Sequence, residues 1–378
     1  KFTSQIKWKA EFQESIVNIG DIGYFTDDLK YASASLIIEG EIRGPIANLK
    51  GRNMKISAGS RTVLRGNFDI MGLPDANNAY LDLRIKNLET DYNDIVDIGN
   101  RVFGNEATEG KVPIELFNAG SLQFTGDFTG FPQDFVAYGS LITEAGILDI
   151  DLNLKADTTG DGINYKGSAG ALALDLGRIL EVPNLGKVSA KADIEAYSAG
   201  ELVSANLDGK ITSLGFKGYT YNNIYLNGKV ADRQFLGTLE SDDPNLNFIF
   251  DGVVDFGGRT PLMDFYAEIY NFDLTALNLV ESEAPISFST IMELNAEGDS
   301  PNTFNGSISA NDSYLCRGDS VVYLEKLSLT ALGDRENRKI SFTSSAADID
   351  VTGAFDTDAL PASFLGLIGE VVPTLVEE

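Results

Sequence analysis

Four short stretches carry the residue types of catalysis or metal binding. Asp157-Thr-Thr-Gly-Asp161-Gly162 sets oxygens at positions one, three and five and glycine at six, the opening of a calcium loop. The acid that such a loop needs at position twelve is Ser168, so the donor set is incomplete and the segment reads as an Asp-Gly hairpin turn. Asp149 and Asp151 share one face of a strand, and a carboxylate pair is the machinery of glycoside hydrolysis. Both occupy the solvent parity of a regular strand, where acids are ordinary. Ser4-Gln5-Ile6-Lys7 spells Ser-x-x-Lys, but on an alternating strand rather than at the helix start that activates such a serine. Cys316, beside Arg317 in a strand-like stretch, reads as an inert thiol. Tyr225, Tyr266 and Tyr270 point outward and could stack on sugars, although cross-strand packing accounts for them equally well.

The absences weigh more. No histidine occurs in 378 residues, which removes the Ser-His-Asp triad, the Cys-His dyad and nearly all zinc and haem chemistry. A single cysteine permits no internal disulfide and no thiolate metal cage. No cofactor or metal is expected. The 29 basic and 56 acidic residues leave a net charge of −27, which repels nucleic-acid phosphates and anionic lipid surfaces. Hydrophobic residues make up 43%, enough for a core. Binding, transport or structure is therefore expected, not enzymology.

Most of the chain alternates apolar and polar residues with period two, the mark of strands with one buried face. A finer pattern, apolar-x-apolar-x-Gly-x-apolar, recurs as Leu36-x-Ile38-x-Gly40-x-Ile42 and Leu122-x-Phe124-x-Gly126-x-Phe128. It returns at Leu207-x-Gly209-x-Ile211, Leu226-x-Gly228-x-Val230, Phe248-x-Phe250-x-Gly252 and Ile349-x-Val351-x-Gly353. Ile150, Leu152 and Phe265 lie on strands that alternate without the glycine. Glycine inside a strand costs about 0.5–1 kcal/mol relative to alanine, so its repetition at the inward parity needs a reason. Curvature supplies one, since a sheet lacking side chains on its concave face can coil sharply there. The expected fold is all-β, an elongated and strongly curved antiparallel sheet, with these apolar residues lining a groove and the glycines creasing it.

Gly40, Gly126, Gly209 and Gly298 lie 86, 83 and 89 residues apart, a loose repeat along a continuous body spanning 1–355, with a possible subdivision near 180–187. Thr90 followed by acids predicts a helix start, and Asp175–Leu180 a single helical turn. Residues 356–378 place apolar groups at helical spacing and predict an amphipathic C-terminal helix. The opening Lys1-Phe2-Thr3-Ser4 lacks both Met and an apolar leader, as an excised piece of a longer protein would.

With its strand motif assembled, the chain resembles the TamB/AsmA-like family of Gram-negative envelope proteins. The recurring Leu-x-Gly-x-Ile strands carry the resemblance, with the stretches Arg61–Asp75, Asp175–Leu180, Asn184–Lys187, Gly218–Ile224, Asp242–Gly252 and Asp273–Leu279. None of these is a catalytic motif. The resemblance implies a U-shaped β-groove, periplasmic in location and part of a longer protein anchored in the inner membrane. It also implies phospholipid acyl chains as cargo moving between inner and outer membrane, and an outer-membrane barrel partner engaged through regions outside this fragment. Two other readings stay open: a scaffold that escorts outer-membrane proteins by strand addition, and a secreted array of β-sandwiches acting as adhesin or carbohydrate binder.

Overall fold

Alternation becomes pairing in the computed structural model, which describes residues 6–22, 32–75, 78–104, 112–157, 162–200, 202–345 and 347–357. The fold is all-β and antiparallel, and the chain clusters into two units, Lys1–Thr220 and Tyr221–Glu378. The first holds β1 (Trp8–Asn18), β2 (Ser35–Gly44), β3 (Asn48–Ala58), β4 (Thr62–Met71), β5 (Tyr80–Thr90) and β6 (Leu122–Phe131). It continues with β7 (Asp134–Thr143), β8 (Gly146–Ala156), β9 (Ile163–Asp175), β10 (Leu185–Ala199) and β11 (Leu202–Phe216). The second holds β12 (Tyr219–Ala231), which begins at the boundary, then β13 (Gln234–Asp243), β14 (Leu246–Asp255), β15 (Leu262–Asp273) and β16 (Ile286–Glu297). β17 (Asn305–Arg317), β18 (Ser320–Leu332), β19 (Arg338–Ser344) and β20 (Asp348–Gly353) complete it. Within each unit, strands pair with their neighbours in the chain, as short turns require. Neither meander closes: among the described residues no pairing joins β1 to β11 or β12 to β20.

The alternation changes phase within several strands, and each change is a β-bulge. In β3 the apolar positions Leu49 and Gly51 give way to Met54 and Ile56, with Arg52 and Asn53 bulged between them. Similar shifts fall in β1 after Phe12, in β5 after Ile85, in β9 after Ala171 and in β11 after Ile211. Glu14, Asn53 and Ala173 take left-handed backbone conformations at these points. An extra residue would turn every later side chain to the wrong face if the partner strand did not step across it. The bulges thus keep Val17, Met54, Leu88 and Leu174 on the same face as the apolar residues before them.

Among the described residues four helices punctuate the first unit: α1 (Ile19–Ile22), α2 (Tyr92–Phe103), α3 (Glu115–Ala119) and α4 (Leu176–Leu180). The expected helix start is displaced by one residue. Asp91, not Thr90, is the N-cap of α2 and accepts from the Asp94 N–H at 2.9 Å. The single turn after Asp175 is α4, capped by that aspartate. Helix α3 carries no side-chain cap to signal it; its Asn118 donates to the Ile179 carbonyl at 3.1 Å, tying it to α4. The proposed C-terminal helix lies almost wholly outside the described residues, as do Ser4 and four residues of the Asp157 loop. That loop is closed by the Asp157 N–H donating to the Gly162 carbonyl at 2.7 Å, as a hairpin turn would be.

Many acids that set the net charge hold turns. Asp243 is fully buried and accepts from the Asn222 and Asn245 N–H groups, each at 2.9 Å. Asp273 accepts from Thr275 and Ala276 N–H. The densest case is Asp94, buried in the first turn of α2. Its carboxylate accepts from the N–H groups of Ser60, Arg61 and Thr62 and from the hydroxyls of Ser60 and Thr62, at 2.6–3.1 Å. Gly59, at φ +58°, lets the turn between β3 and β4 wrap that close. Burial pushes the Asp94 carboxyl up, but the donors from Arg61, Ser60 and Thr62 outweigh it and hold the group far below the ordinary carboxylate range. Asp94→Ala is expected to destabilise the first unit by about 3 kcal/mol, as buried donors to a charged acceptor lose their partner. Because the folded pKa is depressed, this contribution is complete near neutral pH and shrinks as pH falls below about 4. Urea denaturation of both proteins across that range checks both points.

Candidate functional site

The pairing registers assemble one face of each unit into long apolar rows. In the first, a row runs Met54, Gly66, Ile85, Gly126, Gly139, Ile150, Ala169, Ala192, Gly209 across β3 to β11. It reaches Gly40 across the β3 bulge, where a Cβ on Gly40 would lie 2.8 Å from the Met54 sulfur. On one side stands a row of larger residues: Ile42, Gly51, Phe68, Leu83, Phe128, Ala137, Leu152, Gly167, Ile194, Leu207. On the other stand Ile38, Ile56, Leu64, Leu88, Phe124, Leu141, Leu148, Ala171, Ala190 and Ile211. Leu36 and Leu122 extend the face towards the strand ends, opposite Val17 and Thr143.

The second unit repeats the arrangement. Gly228, Gly237 and Gly252 are successive partners in β12, β13 and β14, and their row continues through Phe265, Leu294, Ile308, Leu329, Phe342 and Ile349. Leu226, Leu239, Phe250, Ala267 and Met292 flank it on one side, and Val230, Phe235, Val254, Met263 and Ala296 on the other. Phe248 lies one step beyond Phe250, opposite Ile269. Aromatic rings adjoin across strands: Phe250 stands 4.9 Å from Phe265 and 6.2 Å from Phe235, and Phe272 4.9 Å from Phe288. In the first unit Phe128 stacks on Phe135 at 4.2 Å.

Of the residues expected to line a groove, Ile38 and Leu122 are buried, Val230 is exposed, and the other twelve are half-buried. All of them lie on the apolar faces. Five of the six motif glycines fall in or beside the small-residue rows; Gly353 does not, standing instead opposite Arg338. The row glycines have a shared environment. A Cβ at Gly126, Gly209 or Gly228 would strike a carbonyl oxygen of the adjacent strand, belonging to Tyr138, Lys191 and Leu236 respectively. Phe124 lays its ring over the Gly126–Gly139 pair, with Cζ 2.9 Å and 2.7 Å from where the two Cβ atoms would be. Gly139, which the motif did not single out, was detectable only through its parity with Ala137 and Leu141.

No family model, characterised protein or solved structure matches the chain.

The opposite faces are polar. Asp149 and Asp151 are exposed there and line a recess of about 880 Å³ with Arg84, Lys86, Tyr138 and Lys191. Tyr225, Tyr266 and Tyr270 are also exposed, and the latter two both donate to the Glu268 carboxylate at 2.6 Å. That bond, first, and partial burial push the Tyr266 phenol up to about 12. Cys316 is a half-buried free thiol in β17. Among the described residues no three acidic or thiol side chains converge as metal ligands, and no helix is long and apolar enough to cross a membrane.

Two strand glycines, one on each face, separate packing from mere presence. Gly126→Ala drives a methyl into backbone and is expected to cost roughly 2 kcal/mol or more. On the polar face, a Cβ at Gly170 would meet nothing closer than the Ala190 carbonyl at 3.6 Å. Gly170→Ala is expected to be neutral or to stabilise by about 0.5–1 kcal/mol. Chemical denaturation midpoints of the two variants measure the contrast.

Proposed function

We propose that the chain is the periplasmic groove of a TamB/AsmA-like protein that carries phospholipid acyl chains between the inner and outer membranes. The observation that carries this reading is the register: apolar side chains stand in rows from strand to strand on one face of each open meander. In this reading the small-residue rows let the sheet coil around the apolar face, making a trough. The close approach of neighbouring carbonyls to Gly126, Gly209 and Gly228 supports such a crease. Moving an acyl chain out of water gains about 0.8 kcal/mol per methylene, so escape is slow. Sliding along a row keeps burial nearly constant, so lateral motion is fast. No catalytic group is required.

The open edge of β18 favours a second reading, strand addition. β19 pairs only with Leu327–Leu332, and among the described residues no strand pairs with Ser320–Glu325 on the side away from β17. Val321, Val322 and Tyr323 are exposed there, an edge of the kind that templates another strand.

Phe250→Glu and Leu226→Glu place a charge in the apolar rows, where desolvation costs several kcal/mol. Both are expected to abolish phospholipid transfer between donor and acceptor liposomes while circular dichroism stays that of the parent. Normal transfer by the folded variants, together with no lipid in organic extracts of detergent-free protein, overturns the groove. Peptide binding lost in Val322→Pro under the same conditions supports the scaffold instead.

A further inference from the structure

Three small residues lower the apolar face of the second unit near the turns at one end. Ala296, Gly306 and Ala331 are successive partners across β16, β17 and β18, and their row ends in Met263 of β15 and Ile340 of β19. Ile308 and Leu329, partners of each other, stand in the next row. Large residues around a floor of small ones make a socket, a cavity of about 780 Å³ that Phe304 also lines. Arg338, buried at the start of β19, fixes the turn end of this socket. Its terminal nitrogens donate to the carbonyls of Gly333 at 2.8 Å, Pro301 at 3.1 Å, and Phe304, so the turn before β17 is tied to the turn before β19. The walls are therefore held in place by the chain's own bonds.

The chain itself arrives at the socket. Thr357, the last of the described residues, lines the cavity, and its N–H donates to the Asn302 side-chain oxygen at 2.6 Å. Just before it, Asp356 pairs with Arg335 at 2.8 Å. Residues 358–378 follow from this fixed point and lie outside the described residues. Between Leu360 and Val376 their only charge is Glu370, and Leu360, Phe364, Leu367 and Ile368 recur at the spacing of one helix face. A chain advances at most about 3.6 Å per residue, so Leu360 reaches no farther than about 11 Å from Thr357. So short a tether holds these side chains near the socket at an effective concentration of about a millimolar or more. The net charge of −27 opposes the approach of a second copy to the same place.

We propose that the socket receives the segment Leu360–Ile368 of this same chain, with Leu360 and Phe364 seated against Met263, Ile308 and Leu329. The docking itself does not need the transport reading, but its consequence rests on that reading. The segment covers apolar surface that an acyl chain would use, and so regulates passage at this end of the second unit.

The full chain is prepared without detergent, carrying a benzoylphenylalanine photoprobe at Met263 or, on the polar face, at Tyr270. After irradiation, mass spectrometry of the digest is expected to join the Met263 probe to a peptide spanning Leu360–Ile368, and the Tyr270 probe to no residue of 358–378. A mixture of isotope-labelled and unlabelled copies is expected to give cross-links within one copy only. Phe364→Asp, which alters no residue of β12 to β20, is expected to cut the Met263 cross-link about fivefold or more, because a carboxylate resists an apolar wall. Equal cross-linking from both probes, cross-links between copies, a lipid adduct at Met263 in place of the segment, or indifference to Phe364→Asp overturns the docking. In transfer between liposomes, Phe364→Asp is expected to speed phospholipid movement several-fold. A cross-linked segment in a chain that transfers no lipid keeps the docking and sinks the groove. Transfer by a chain whose Met263 probe never reaches the segment sinks the docking and leaves the groove standing.

Discussion

A side-chain period of two ties the face of every strand to its register, and everything else in this protein follows from keeping that tie intact. One uncompensated residue in one hairpin would turn a row of leucines and phenylalanines outward and bring aspartates and lysines in. The apolar rows are therefore a property of the pairing, not of any single strand. Turn-holding carboxylates such as Asp94, Asp243 and Asp273 guard the pairing at the places where slippage would begin. The large negative charge is in this sense partly structural: acids fasten the turns, and the remaining ones keep the polar face wet.

The bulges show how that constraint is met without rigid regularity. In β3 the step at Arg52 and Asn53 lets one strand run Leu49, Gly51 and then Met54, Ile56 while its partners keep strict alternation. A bulge also increases local twist. The small-residue row in the first unit lies close to several of these steps, so the places with least side-chain bulk are also those where the backbone is most free to turn. Phe124 and Phe68, laid over glycines, recover some of the packing that the missing side chains forgo.

Much of this was legible in the residues themselves. The motif strands, their shared apolar parity and the helical turn after Asp175 all follow from alternation and capping chemistry. The strands that escaped notice did so for identifiable reasons. β3 changes phase in its middle, and β18 runs Val321-Val322-Tyr323 near its start with no alternation at all. Helix α3 is five residues long and carries no side-chain cap, so nothing local announced it. Arg338 was invisible for a different reason. An arginine beginning a strand looks like solvent-facing charge, and only the convergence of the nearby Gly333 carbonyl with the distant ones of Pro301 and Phe304 makes it an interior group.

Within each unit a strand bonds only to the strands before and after it in the chain. Such a lattice is one-dimensional, so a pair of strands not spanned by the α3–α4 or Arg338 contacts could be removed or duplicated as a block and leave the other strand pairings in place. The apolar face would simply become shorter or longer by the width of two strands. Gene length is thereby converted into sheet width, hairpin by hairpin, without any new kind of contact.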